Sequence, residues 1–246
     1  MKGIFISVRT GSTRLPQKAL KKIRGRSTIE YLIDRVKKSE YAQQIILCTT
    51  EMEEDNVLCE LAMKNDIKFF RGSSPDKLKR WLYAAKHYDV DFFVNADGDD
   101  IFFDHGLADL VFKQFEDTGA DFIDGQGLYN DVYGMTRDSL EKVVKEKKST
   151  DTEFIKPYFY SLKDRIMIEE VRDVPEKYKK KKMRLTLDYE EDFLFFKAVI
   201  EYFLEKNEEM EFSKIIDYVE RTEGIVDINF HREKDWFENQ QKVKNV

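Results

Sequence analysis

The chain has 246 residues, of which 41% are hydrophobic, and this is enough for one large domain with a buried core or for two small ones. Its formal net charge of −6 and its pI near 5.4 argue against broad nucleic-acid binding, which needs a basic face, but local cations could still bind a small anionic substrate. Hydropathy shows no membrane-spanning segment and no export leader precedes the first predicted strand, so we expect a cytoplasmic protein without membrane contact.

The first half of the sequence alternates short β-rich runs with amphipathic helical stretches. Strands are predicted at residues 3–8, 44–49, 67–70, 92–96 and 121–124. Apolar residues recur at helical spacing within 29–36, 57–62 and 78–85. This alternation predicts an α/β fold, with a mostly parallel sheet covered by helices on both faces. Ligands of such sheets bind beyond the carboxyl ends of the strands.

The second half is less regular. Strands are predicted at 131–135 and 165–170, and helices at 137–146 and 152–161. A run at 183–187 then leads into a long helix that begins at Glu190. No convincing linker separates the halves, so we expect a single domain over 1–246. Residues 235–246 are mostly polar and are interpreted as an arm or a frayed tail.

The loop after the first strand, "RTGSTRLPQK" at 9–18, combines a glycine, hydroxyl groups and three cations. Its backbone N–H groups and hydroxyls can bind an anion, and Arg9, Arg14 and Lys18 add positive charge, which suits a triphosphate. The loop is not a Walker A motif, because Gln17 stands where a glycine should precede the lysine and Pro16 would interrupt the following helix. From the residues alone, a solvated loop with incidental charges is the alternative.

Carboxylates cluster at two places in the sequence. Asp97-Gly98-Asp99-Asp100 follows the fourth predicted strand, where the carboxylates would repel one another unless a cation intervened, and Mg²⁺ would suit them. An acidic surface turn is the alternative. Asp188 precedes the helix that begins at Glu190, and taken alone it is interpreted as the N-cap of that helix. The acidic residues at 190–192 are interpreted as charges that complement the helix dipole.

Three motifs, in this order, resemble those of a known family. "STRLPQK" at 12–18 resembles the "STRLPGK" signature of cytidylyltransferases that activate acidic sugars. The spore-coat-polysaccharide type (family F), related to the 3-deoxy-manno-octulosonate and acylneuraminate enzymes, is the most similar. Residues 45–100 follow the family's course from a strand through an "RGS" element to a "GD" turn, and "MRLTLDYEEDFLFFK" at 183–197 resembles "LRLTVDTPEDFELIK". The resemblance implies a three-layer α/β/α sandwich with a mostly parallel, mixed central sheet, as in nucleotide-diphospho-sugar transferases.

The resemblance also implies an activity, the transfer of CMP from CTP to a sugar acid with release of pyrophosphate. Residues 1–125 would bind CTP, and 126–246 would bind the acceptor and complete the metal site. Four catalytic residues are implied: Arg14 and Lys18 would bind phosphates, and Asp99 and Asp188 would hold Mg²⁺. The implied nucleotide-binding residues are Val8, Arg9, Thr10, Gly11, Ser12, Arg14, Lys18, Arg71, Ser73 and Asp97. A pocket argument supports the contact of Arg71 with the nucleotide, and a surface ion-pair partner is the alternative for this residue.

The acceptor is implied to contact Asp131, Glu153 and Lys156, and a homodimer is implied as the assembly. A solvated lysine on a helix face is the alternative for Lys156. Three departures from the family's pattern leave the acceptor and the choice of cytosine open: Lys156 itself, Ile101 in place of a proline, and Asp97 where relatives often have threonine or glutamine. Two other functions stay open as well. One is a glycosyltransferase that uses Asp97-Gly98-Asp99 as a DxD metal site, and the other is a non-catalytic nucleotide-binding relative.

Overall fold

The computed structural model describes residues 1–129, 132–150, 152, 154–179 and 182–244, with the backbone alone over 239–244. The strands in this part of the chain are β1 (Lys2–Ser7), β2 (Lys22–Ile23), β3 (Arg26–Ser27), β4 (Gln44–Thr50), β5 (Lys68–Gly72), β6 (Phe92–Asp97), β7 (Phe122–Asp124), β8 (Tyr133–Thr136) and β9 (Ile168–Glu170). The helices are α1 (Thr28–Val36), α2 (Asn56–Lys64), α3 (Lys77–His87), α4 (His105–Thr118), α5 (Arg137–Glu146), α6 (Lys156–Tyr160), α7 (Glu190–Lys206), α8 (Phe212–Arg221) and α9 (Arg232–Lys244).

Seven of the described strands form one mixed sheet in the order β5-β4-β1-β6-β8-β7-β9, and β2 and β3 form a separate hairpin. The strands β5, β4, β1 and β6 are parallel, β8 is antiparallel to both of its neighbours, and β9 is parallel to β7. The carboxyl ends of β1, β4, β6 and β7 therefore lie at the same edge of the sheet. Ligands of parallel sheets bind at this edge.

Helices cover both faces of the sheet. Side chains alternate along a strand, so Ile4 and Ile6 of β1 pack with α1, α2 and α4, whereas Phe5 packs on the other face with α3 and α5. A third apolar cluster joins α7 and α8 to Leu15 of the opening loop and to Phe102 beyond β6. The predicted three-layer arrangement is confirmed. The third cluster packs the C-terminal helices against two loops at the carboxyl edge.

The five strands predicted in the first half are all present. In the second half, α6 spans only Lys156–Tyr160, not the predicted 152–161, because Pro157 lacks an N–H and favours the first turn of a helix. The strand predicted at 165–170 is shortened to β9, because Arg165 N donates to Leu162 O in a turn. Helices α4 and α8 were not predicted. Asp104 caps the first of these by accepting from Leu107 N at 2.7 Å.

The interpretation of 235–246 as an arm or a frayed tail is corrected in part, because the described residues of this segment are helical and Trp236 contacts Arg184 in the body of the protein. Residues up to Lys244 belong to α9, and the side chains at its start contact the body of the protein. Arg232 pairs with Glu191 at 2.8 Å, and the Trp236 ring lies 5.9 Å from the guanidinium carbon of Arg184. None of the described helices is both long and apolar enough to cross a membrane.

Candidate active site

The opening loop is fixed at its start by Asp55, a buried carboxylate that the sequence analysis did not single out. Asp55 Oδ1 accepts from Thr10 N and Thr10 Oγ1, both at 2.7 Å. Asp55 Oδ2 accepts from Thr50 N at 3.3 Å and from the Thr50 hydroxyl. Burial alone would raise the pKa of Asp55, but the hydrogen bonds from Thr50 and Thr10 outweigh it and hold the pKa below its ordinary value. Asp55 is therefore ionised, and its hydrogen bonds join the opening loop to the end of β4.

We expect the substitution Asp55→Ala to lower the free energy of unfolding by about 3 kcal/mol, because it leaves several buried donors without an acceptor. Hydrogen bonding lowers the pKa of Asp55 in the folded state. The stability that Asp55 contributes is therefore fully present above the ordinary Asp pKa and is lost as pH falls through the lowered folded-state pKa. Urea unfolding at neutral pH measures the difference. A loss below about 1 kcal/mol would contradict the anchoring role.

The turn after β6 approaches the opening loop closely. Gly98 N donates to Ser7 O at 2.8 Å. A Cβ on Gly98 would lie 2.7 Å from the Cβ of Val8, closer than two such carbons can approach, so only glycine fits here. The next residue, Asp99, is thereby placed beside the loop, and its backbone oxygen accepts from Leu187 N at 3.0 Å. That hydrogen bond brings the segment that precedes α7 to the same place.

The two cations of the loop meet the two carboxylates at this point. Lys18 Nζ lies 2.7 Å from Asp99 Oδ2 and 3.0 Å from Asp188 Oδ1. Arg14 Nη2 lies 2.6 Å from the same Asp188 oxygen. The Asp188 side chain is 2% exposed, whereas those of Lys18 and Asp99 are 16% and 26% exposed. The structure thus brings together the four residues that the sequence analysis named as catalytic.

The charges of this cluster influence one another strongly. Burial would raise the pKa of Asp188, but the charges of Lys18 and Arg14 outweigh it and lower the pKa to about 2. Burial raises the pKa of Asp99, and the nearby carboxylates of Asp188 and Asp97 raise it further, so Lys18 only partly offsets the shift. Burial would lower the pKa of Lys18, but its two carboxylate neighbours raise it. At neutral pH the site combines an ionised Asp188 with a protonated Lys18.

Asp99 and Asp188 are suited to a divalent cation. Both carboxylates already contact one positively charged group, the Lys18 ammonium, so an oxygen from each faces a common position. Mg²⁺ is usually bound by one or two carboxylates, with substrate phosphates and water supplying the remaining ligands. Among the described residues, no group of three or more His, Cys, Asp or Glu side chains could hold a metal ion. An ion bound by Asp99 and Asp188 would therefore take other ligands from a substrate or from water.

Residues 4–242 match the family model described as Cytidylyltransferase. The chain belongs to the cytidylyltransferase family. It is 32% identical over 230 residues to the uncharacterized protein MJ1063 of Methanocaldococcus jannaschii, covering 92% of this chain and 93% of that protein. It is 24% identical over 205 residues to the spore coat polysaccharide biosynthesis protein SpsF of Bacillus subtilis, covering 79% of this chain and 84% of that protein. The solved structure of a cytidylyltransferase from Leptospira borgpetersenii has a TM-score of 0.82 at 29% identity, covering 92% of this chain and 96% of that chain.

These similarities confirm the family that the sequence motifs resemble, and the enzyme is a cytidylyltransferase. They also agree with the mixed sheet flanked by helices, so the expected fold class is confirmed. In this cytidylyltransferase, two motifs that carry the resemblance, at 12–18 and 183–197, supply three of the four clustered side chains. The boundary at residue 125 between two functional halves stays a prediction.

The other residues assigned to the nucleotide lie around the loop of the cytidylyltransferase. Val8 and Thr10 are buried, and Gly11 and Arg9 are exposed. Arg71 donates to the backbone oxygens of Thr50, Glu51 and Met52 at 2.7 to 3.2 Å, so these hydrogen bonds join β5 to the end of β4. The hydroxyls of Ser12 and Ser73 accept from backbone N–H groups nearby, at 3.4 and 3.3 Å. Their contacts with a nucleotide stay predictions.

Two lysine–carboxylate pairs lie near the ends of β6 and β7 in the cytidylyltransferase. Lys77, which the sequence analysis missed, lies 2.5 Å from Asp97 Oδ1. Lys156 lies 2.7 Å from Asp124 Oδ1, and Tyr160 donates to Asp124 Oδ2 at 2.9 Å. Lys156 is therefore paired with a buried carboxylate, whereas the alternative interpretation expected a solvated helix face. Two other expected acceptor residues, Asp131 and Glu153, lie outside the described residues.

Tyr133 stands between the two pairs. Its hydroxyl accepts from Asn95 Nδ2 at 2.9 Å and lies 3.5 Å from Asp97 Oδ2. Its ring centre lies 5.8 Å from the ammonium of Lys156.

Tyr160 is the second tyrosine at this edge of the sheet. Burial raises the pKa of Tyr160 to about 12, and its hydrogen bond to Asp124 adds to the shift. Both lysine–carboxylate pairs therefore lie at the carboxyl edge of the sheet, beside the strand ends that carry Asp97 and Asp124.

Proposed function

We propose that the enzyme transfers CMP from CTP to a sugar acid of the 3-deoxy-ulosonic or nonulosonic type. A hydroxyl of the acceptor forms a new bond to the α-phosphorus and loses its proton, while the bond from that phosphorus to the bridging oxygen breaks and pyrophosphate leaves. Such a displacement needs positioning and charge neutralisation more than covalent participation of the protein. We further propose a homodimer, as the sequence resemblance implies, and we keep the expectation of a cytoplasmic protein.

One observation carries the proposal: Arg14 and Lys18 of the glycine-containing loop meet Asp99 and Asp188 at a single point. A triphosphate needs cations along its oxygens and a divalent ion to share its charge. This point offers two cationic side chains for the oxygens and two carboxylates that could hold the divalent ion. Arg14 and Lys18 would bind the β and γ phosphates. Residues 10–12 of the loop would border the nucleotide, mainly through Gly11, because Thr10 N already donates to Asp55 and Ser12 N to the backbone oxygen of Thr10.

Asp99 and Asp188 would hold Mg²⁺, which when bound neutralises charge on the phosphates and makes the α-phosphorus easier to attack. The carboxylate of Asp188 is fully ionised at neutral pH, because its pKa is lowered to about 2, so no proton has to leave before a cation binds. Lys18 contacts both of these carboxylates. It would reach the phosphates from the same position, because an ammonium group donates up to three hydrogen bonds.

The acceptor class is supported by charge and by relationship. SpsF of Bacillus subtilis is named for polysaccharide biosynthesis, and the sequence motifs resemble enzymes that activate acidic sugars. Lys156 supplies a cation at the edge where the acceptor would approach, and its partner Asp124 supplies oxygens for hydroxyl groups. Asp97, which Lys77 contacts, stays assigned to the nucleotide. A polyhydroxylated molecule with a carboxylate matches this mixture of groups.

The glycosyltransferase alternative requires Asp97 and Asp99 to act together as a DxD metal site. Asp97 Oδ1 instead pairs with Lys77, and Asp99 Oδ2 pairs with Lys18. The two carboxylates thus contact different lysines, and Asp188 shares the cation of Asp99. This arrangement favours Asp99 and Asp188 as the metal pair.

A pyrophosphate-release assay tests the proposal. We expect release with CTP and one of a panel of 3-deoxy-ulosonic, nonulosonic and phosphorylated sugar acceptors, and little release with ATP, GTP or UTP. Chelation with EDTA should abolish the reaction, and added Mg²⁺ should restore it, because without the ion the carboxylates of Asp99 and Asp188 would repel the phosphates. Release that persists after chelation, or activity confined to neutral acceptors, would contradict the proposal.

A further inference from the structure

A buried cation, Arg184, lies directly behind Asp188. Its side chain is 1% exposed, and its guanidinium group contacts the carboxylates of Asp188, Asp192 and Glu233. A guanidinium group is costly to bury unless its N–H groups find acceptors. Arg184 belongs to the same motif as Asp188, but the sequence analysis assigned it no role.

The contacts of Arg184 and its neighbours give the two oxygens of Asp188 different surroundings. Arg184 Nη2 donates to Asp188 Oδ2 at 3.2 Å from the protein interior. Asp188 Oδ1 accepts from Arg14 and Lys18 on the loop side. The backbone N–H of Asp188 donates to Asp192 Oδ2 at 2.9 Å, so both the main chain and the carboxylate are fixed. Asp188 Oδ1 is thereby held toward the proposed metal position.

Arg184 is itself held on two further sides. Asp192 accepts from Arg184 Nε at 2.9 Å and from Nη2 at 3.2 Å, and this two-pronged contact fixes the plane of the guanidinium group. Asn229 Nδ2 donates to Asp192 at 2.9 Å and to the backbone oxygen of Arg184 at 3.1 Å. The remaining side is closed by α9, where Glu233 Oε2 accepts from Arg184 Nη1 at 3.1 Å. Glu233 of α9 is thus linked to Asp188 through one intervening side chain, that of Arg184.

We propose that Arg184 is a positioning residue that orients the metal-binding carboxylate of Asp188, and that α9 keeps it in place through Glu233. The inference rests on the proposed function, because it takes Asp188 as a metal ligand. Partners that orient metal ligands typically contribute about 10- to 100-fold to metal affinity. Removal of the Arg184 guanidinium group should therefore weaken metal binding by about that factor.

The test is the affinity for Mn²⁺, measured by electron paramagnetic resonance with CTP present and no acceptor and compared with CTP alone, so that no turnover is needed and binding by the nucleotide itself is subtracted. Arg184→Met should weaken Mn²⁺ binding by about 10- to 100-fold, and Arg184→Lys should recover part of the loss. Glu233→Gln should weaken binding in the same direction and by less. Glu238→Gln is the matched control, because Glu238 is an exposed residue of the same helix whose ion pair with Lys234 is long, at 3.9 Å.

Two comparisons decide the result. If Arg184→Met folds and binds Mn²⁺ as tightly as the control does, the positioning role is wrong. If Arg184→Met does not fold, the comparison is between Glu233→Gln and Glu238→Gln. Equal Mn²⁺ affinities of these two variants would then overturn the role. Asp188→Asn separates this inference from the proposed function. If Asp188→Asn binds Mn²⁺ like the wild type, Asp188 is not a metal ligand and the proposed metal site fails. If it loses binding while Arg184→Met does not, only the positioning inference fails.

Discussion

The substitution Lys18→Ala is expected to lower kcat/KM for CTP by more than about a hundredfold, equivalent to about 3 kcal/mol of transition-state stabilisation. Lys18 is the only described side chain that contacts both Asp99 and Asp188 through a positive charge. Its loss would remove one of the two cations proposed to bind the triphosphate and would leave the two carboxylates to repel each other. Pyrophosphate release at saturating Mg²⁺ measures the effect.

Lys21→Ala is the matched control for Lys18→Ala. Lys21 lies in the same segment and pairs with Glu190 at 2.9 Å, but Glu190 is an exposed partner at the surface. Surface pairs contribute about 0 to 1 kcal/mol, so the control should keep near-normal turnover and stability. Near-normal turnover of the Lys18 variant as well would refute the phosphate-binding role.

The substitution Asp99→Asn is expected to remove about 3 kcal/mol or more of transition-state stabilisation and so to lower turnover by more than about a hundredfold. The free energy of unfolding should not fall. The reason lies in its surroundings. Burial and the carboxylates of Asp188 and Asp97 raise the pKa of Asp99, so the ionised form is less favourable in the folded protein than in the unfolded chain. A neutral side chain of the same shape relieves this cost, but it would bind Mg²⁺ poorly.

The effect of pH distinguishes this prediction from a general structural defect. Because the folded-state pKa of Asp99 is raised, the wild type should lose stability as pH rises from the ordinary Asp pKa through the raised one. Asp99→Asn should lack that part of the decline. Unfolding in urea at several pH values, together with turnover at saturating Mg²⁺, provides both readouts. A variant that unfolds more easily than the wild type at neutral pH would show that Asp99 stabilises the fold.

Much of the fold follows from local patterns in the sequence. The strands β1, β4 and β6 are short apolar runs, because a parallel sheet covered on both faces buries both sides of each strand. The second half was harder to predict. Its sheet contains the short strands β7, β8 and β9, and the polarity of α9 hides that its first turn contacts Arg184. Such contacts depend on partners distant in the chain and have no periodic signal.

The candidate site likewise combines residues that local patterns reveal with residues whose role depends on distant contacts. The loop cations and Asp99 could be proposed because residues that bind phosphates and metals stand in recognisable local arrangements, and resemblance to a family added Asp188. Asp55 and Lys77 could not be found in this way. Asp55 ends an acidic run that reads as solvent-exposed, and its importance comes from hydrogen bonds to Thr10, 45 residues away. Lys77 opens an amphipathic helix, and only the pairing with Asp97 at the end of β6 gives it a role.

The proposed site joins parts of the chain that are far apart in sequence: 81 residues separate Lys18 from Asp99, and 174 separate Arg14 from Asp188. Contacts of such long range form slowly, because a large loop must close before they form. During synthesis the opening loop leaves the ribosome long before its partner at position 188 exists. We therefore expect nascent chains that end before α7 to lack activity even if the first strands have already paired.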